Sequence, residues 1–234
     1  MTRLPAIALA AAAVAGGAWY LTAGAPDAPG STSLIAPAFA QDAETQADPA
    51  AADTDTAAPE VLEMTMGNPD AAVQVIEYAS FTCPHCRSFH DTVFDELKAN
   101  YIDTGKVEFI YREVYFDRYG LWAGMIARCG GEEKYFGISD LIYERQSEWT
   151  KGEPAEIAQN LRTIGKTAGL DDAQLESCLT DGAMAEALVA TFEENAAADD
   201  VTSTPSFIID GEKFSNMSYE DFAEVLDGKL DEDS

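Results

Sequence analysis

Residues 83–86 read Cys-Pro-His-Cys, between the apolar run Val73-Gln74-Val75-Ile76-Glu77-Tyr78-Ala79 and a helical pattern that opens with Arg87-Ser88-Phe89. The run has strand character, so the tetrapeptide marks a strand-to-helix turn. Two cysteines three apart at a helix start can close a small, readily exchanged disulfide. Cys83 falls at the positive end of the helix dipole, where a thiolate is favoured. Pro84 suits the first helical position, because its missing N–H would have lacked a partner there. His85 can add a hydrogen bond or partial positive charge to the same sulfur. Cys86 follows one turn behind as the resolving thiol, and the pair has the makings of a thiol–disulfide exchange centre.

Other chemistries fit less well. A zinc site needs about four ligands at ribbon or finger spacing. The chain has only His85 and His90, and its other cysteines are remote, so no metal is expected. A purely structural Cys83–Cys86 bridge would constrain too little chain to stabilise much. His90 lies four residues after Cys86 and reads as a surface residue without a role. The net charge is −28, with 13 basic against 35 acidic side chains in residues 61–234. Such a surface repels phosphate backbones and argues against nucleic-acid binding.

Residues 1–25 read as a targeting segment. Arg3 is its only charge, Leu4 to Thr22 is apolar, and Trp19-Tyr20-Leu21 closes it. The stretch fits either a secretory signal or an uncleaved membrane anchor through residues 4–22. Cleavage-like triplets stand at Ala23-Gly24-Ala25 and Ala38-Phe39-Ala40. Either reading puts the remainder outside the cytoplasm, where disulfides persist. Residues 26–60, rich in Ala, Asp, Pro and Thr, read as a flexible acidic linker.

The compact part is expected over 61–230. Residues 61–66 form a first edge strand, Gly67-Asn68-Pro69-Asp70 a turn, and 73–79 a second strand. A helix runs from the tetrapeptide to about Tyr101, and Val107–Tyr111 is a further strand, giving β-α-β with parallel pairing. About 118–198 is helical throughout, in four or five helices, with stripes such as Trp122, Ile126, Cys129 and Ile157, Leu161, Ile164. Asp171 offers an N-cap. Ser206–Ile209 and Glu212–Phe214 flank the hairpin turn Asp210-Gly211. Ser218-Tyr219-Glu220-Asp221 opens a last helix, and 231–234 is an acidic tail.

This order is that of an α/β thioredoxin fold with a helical insertion between its β-α-β and β-β-α halves. The chain resembles the DsbA-like periplasmic thiol:disulfide oxidoreductases. The matching residues are Glu77, Phe81-Thr82-Cys83-Pro84-His85-Cys86 and Thr204-Pro205-Ser206-Phe207, within roughly 61–230. The resemblance implies a redox disulfide Cys83–Cys86, oxidation of reduced secreted polypeptides, and reoxidation by a DsbB-like quinone-linked membrane protein, with no metal, nucleotide or organic cofactor. It implies a cis peptide at Thr204–Pro205, beside the cysteines and able to pair with a substrate strand. It implies that Glu77, in the strand, is a buried acid moving protons to and from Cys86. Pro-His at 84–85 is the dipeptide of oxidising members. Thr204 points the other way, to isomerase- or reductase-like relatives. A disulfide isomerase or reductase kept reduced by a membrane donor is therefore the alternative, with a non-catalytic peptide-binding chaperone behind it.

Cys129 and Cys178 remain. With 83 and 86 paired, they join each other in a structural disulfide or stay as two buried thiols. A bridge would close a loop of about 50 residues, worth on the order of 4 kcal/mol in the chain-entropy picture.

Overall fold

The structure, a computed structural model, describes residues 58–232. Segment 1–25, nearly all of the expected linker, and the last two residues of the expected tail lie outside the described residues. None of the described helices is long and apolar enough to cross a membrane.

Five strands make one sheet in the order β1-β3-β2-β4-β5. They are β1 (Met64–Gly67), β2 (Val73–Ala79), β3 (Val107–Glu113), β4 (Ser206–Ile209) and β5 (Glu212–Ser215). β2 and β3 are parallel, with Glu77 beside Tyr111. β4 runs antiparallel to β2, with Glu77 beside Phe207. β1 begins three residues later than the sequence pattern suggests. The Leu62 carbonyl accepts a hydrogen bond from Arg128 (2.9 Å) instead of joining a ladder. Asp210 and Gly211 both take positive φ, 46° and 81°, as a two-residue hairpin turn requires.

β2 is central, and its side chains alternate between two cores. Val73, Val75 and Ala79 join the main core with Phe109, Tyr111, Phe207, Ile209, Phe89 and Phe222. Ile76 and Tyr78 point the other way, to a smaller cluster with Ile110, Val114 and Ile208. Glu77 has the parity of the main-core face, and its side chain is fully buried. The carboxylate is thus carried by strand alternation into an otherwise apolar and aromatic layer.

One helical run leads away from the cysteines. It comprises α1 (Pro84–Phe89), a π-helical stretch (His90–Phe94), the short α2 (Asp95–Leu97) and a second π stretch (Lys98–Ile102). The insertion contains six helices rather than four or five: α3 (Arg118–Cys129), α4 (Glu132–Glu144), α5 (Gln146–Trp149), α6 (Pro154–Thr167), α7 (Asp172–Leu179) and α8 (Gly182–Ala198). The extra piece arises where Arg145 breaks α4 from the one-turn α5. α3 is the hub, packing on α4, α6, α7 and α8. Cys129 at its end is joined to Cys178 of α7. The last helix, α9 (Tyr219–Glu232), includes Asp231 and Glu232, which the sequence pattern assigns to the tail.

Candidate active site

The loop Ser80-Phe81-Thr82 carries the chain from β2 to Cys83, the N-cap of α1, which has extended backbone and Pro84 directly after it. Five hydrogen bonds fix this turn. The Cys83 N–H donates to the Ser80 carbonyl (3.0 Å), and the Arg87 N–H donates to the Cys83 carbonyl (3.2 Å). The buried Gln146 side chain donates to the carbonyls of Phe81 (2.8 Å) and Cys83 (2.9 Å). Thr82 Oγ1 donates to Asp117 Oδ2 (2.9 Å). Asp117 also caps α3 by accepting from the N–H groups of Tyr119 and Gly120. The insertion therefore holds the cysteine turn from two directions.

Cys83 and Cys86 are both free thiols, Cys83 partly exposed and Cys86 buried. The peptide between Thr204 and Pro205 is cis, and the Cys83 thiol faces the Thr204 carbonyl at 3.5 Å. The two sulfurs differ sharply in acidity. Hydrogen bonding from Cys86 is the largest influence on Cys83. It outweighs partial burial and, with help from Thr204 and the backbone N–H groups of Cys86 and His85, lowers Cys83 to about 5. Burial is the largest influence on Cys86. Together with its bond to Cys83 and the nearby Glu77 charge, it drives that thiol far above the ordinary range. One sulfur is a ready thiolate, and the other holds its proton.

The fold brings Glu77, Cys83, Pro84, His85, Cys86, Thr204 and Pro205 to one region. Pro84 and His85 are exposed, and the help that His85 gives Cys83 comes from its backbone N–H. His90 requires a correction. It is not a surface residue: its side chain is 8% exposed, and Nε2 lies 3.1 Å from Glu77 Oε2. Its spacing from the buried Cys86 is i, i+4, which puts both on one helix face, and that signal could have revealed it. Gln146 and Asp117 were also missed. Their partners lie 63 to 65 and 35 residues away in sequence, so no local pattern announces them. Phe116, the residue before Asp117, is 60% exposed.

A central mixed sheet with a dithiol at the entry of the first long helix defines the thioredoxin-fold class. A family model described as thioredoxin matches residues 60–228, and the chain belongs to that family. The "Putative protein-disulfide oxidoreductase" of Rickettsia bellii is 33% identical over 171 residues, covering 73% of this chain and 65% of the relative. The chain thus spans just under two thirds of that relative's length. The "Probable disulfide bond formation protein D" of Bacillus cereus is 26% identical over 172 residues, 72% of this chain and 79% of the relative. The crystal structure of Wolbachia pipientis alpha-DsbA1 matches with a TM-score of 0.68 and 27% identity, covering 75% of this chain and 94% of that one.

Proposed function

We propose that the chain is an extracytoplasmic thiol–disulfide oxidoreductase that works as a dithiol oxidase on reduced secreted or periplasmic polypeptides. The observation that carries this reading is the split acidity of the pair, with Cys83 lowered to about 5 and Cys86 buried with its proton. Whatever stabilises the reduced thiolate makes the disulfide a stronger oxidant. The names of the Rickettsia and Bacillus relatives support exchange chemistry in general. The Cys129–Cys178 bridge suits an oxidising compartment.

In this mechanism the resting enzyme holds a Cys83–Cys86 disulfide. A substrate thiolate attacks Cys83 Sγ, because that is the accessible sulfur. The S–S bond breaks, and its electron pair leaves on Cys86, which takes up a proton. A second substrate thiolate then attacks the substrate's own sulfur in the mixed disulfide and displaces Cys83 as a stable thiolate. The substrate loses two electrons to the enzyme pair. The Thr204 carbonyl faces Cys83, and the backbone of Thr204 and Pro205 is offered to a substrate strand. A DsbB-like quinone-linked membrane protein would accept the electrons.

The test is the equilibrium of the Cys83/Cys86 pair against glutathione, with Cys129 and Cys178 intact. A pair clearly more oxidising than glutathione is expected. A pair as reducing as thioredoxin would overturn the oxidase direction in favour of a reductase or isomerase, the direction Thr204 suggests.

A further inference from the structure

Beneath Cys86 lies a buried acid–imidazole pair. Glu77, fully buried in β2, meets His90 Nε2 through Oε2 alone. Glu77 Oε1 and His90 Nδ1 are two of only four buried side-chain N or O atoms without a hydrogen-bond partner among the described residues. Burying a polar atom without a partner is costly, and an apolar pair of similar size would avoid both. The imidazole is stacked on Tyr143 (centroids 4.2 Å apart, 18° between planes) and leans on Phe94 (4.6 Å). The Tyr143 hydroxyl in turn bonds that of Tyr111 (2.5 Å), a neighbour of Glu77 in the sheet. The helix changes to π winding at His90, a departure often found at functional positions. The groups that bear on the ring are Glu77 from β2, Tyr111 from β3, and Tyr143 and Asp140 from α4, while Cys86, one turn earlier on the same helix, bears on Tyr143. Asp95 and Lys98 act on Asp140 in turn.

We propose that His90 is a positioning residue for the exchange reaction, holding Glu77 in place and resupplying the proton that Glu77 passes to Cys86. When the disulfide opens, Cys86 Sγ departs with the bond's electron pair, the Nε2 proton of the His90 imidazolium passes to the Glu77 carboxylate, and the carboxyl group so formed gives its proton to the sulfur. The neutral ring, at the edge of solvent, is then protonated again from outside. In the reverse step Cys86 gives its proton to this pair. Its thiolate then attacks Cys83 of a mixed disulfide and expels the bound thiolate. The inference rests on the exchange reading above.

The experiment uses the full chain with a reduced dithiol peptide, and divides the oxidation rate by the peptide's thiolate fraction at each pH. The wild type should lose about tenfold in this corrected rate as the pH rises and the relay runs short of protons. His90→Gln keeps a donor for Glu77 but cannot titrate, so its profile should be flat at the lower level. A His90→Gln profile with the wild-type inflection would overturn the role, whatever its absolute rate. If that variant does not fold, NMR titration of the wild-type imidazoles decides, with His85→Ala assigning the two rings. The His90 midpoint should differ by about half a pH unit or more between oxidised and reduced protein, because the reduced Cys86 thiol can donate a hydrogen bond to Glu77 and the disulfide sulfur cannot. Identical midpoints would overturn the proposal. A wild type with no exchange at any pH would overturn the exchange reading itself, and the role of His90 with it.

Discussion

Cys83 and Cys86 are the same residue three positions apart, and their difference comes wholly from what surrounds them. Cys83 collects donors at the start of a helix, whereas Cys86 is enclosed by the main core. The reduced protein should therefore show a thiolate titration with its midpoint at about pH 5, followed by ultraviolet absorbance. Stability should follow. An unfolded cysteine titrates near 9 and folded Cys83 near 5, so the thiolate's contribution to the reduced fold is complete above pH 9. It declines as the pH falls and is gone below the folded value. The oxidised form has no such thiol. The melting temperature of reduced protein minus that of oxidised protein should fall on acidification from pH 9 and level off below about 5. A difference that grows on acidification would contradict the assignment of Cys83. The tetrapeptide made this residue legible in sequence. For His90 the i, i+4 spacing from Cys86 signals burial but not the partner, because Glu77 arrives from another element.

At the level of elements, turn chemistry and periodicity revealed most of the architecture. Asp210-Gly211 takes the hairpin geometry, and Asp171 caps α7 in a reciprocal box with Gln174. The start of β1, the break between α4 and α5, and the π windings were not readable, because each depends on a partner distant in sequence or on a subtle change of helical pitch. Gln146 illustrates the cost of such distant ties. It is a buried amide on a one-turn helix, and its amide nitrogen serves two carbonyls of the cysteine turn. Gln146→Leu should preserve bulk yet leave the Phe81 carbonyl unpaired and the Cys83 carbonyl with the Arg87 N–H alone. The expected loss is about 1–3 kcal/mol in chemical denaturation. A loss below a few tenths would mean that other groups hold the turn.

For the whole molecule, two features set behaviour that no single site does. The Cys129–Cys178 bridge spans 49 residues and ties the hub helix α3 to α7. Replacing both by Ser should cost about 2–4 kcal/mol by urea unfolding, while Cys83 and Cys86 stay available. The second feature is the acidity of residues 61–234, 13 basic against 35 acidic groups. At low salt a basic dithiol peptide should be oxidised faster than an acidic one of equal reactivity. The ratio should approach one as ionic strength nears about 1 M, and a ratio indifferent to salt would rule out steering by this field. The insertion also has a consequence in time. Thr204, which faces Cys83, lies 121 residues downstream of it. On a ribosome adding ~5–20 residues per second, that interval is roughly ten seconds. The two sulfurs are made early, and the segment that completes their surroundings is made last. A half-made or truncated chain would carry reactive thiols without the strand beside them.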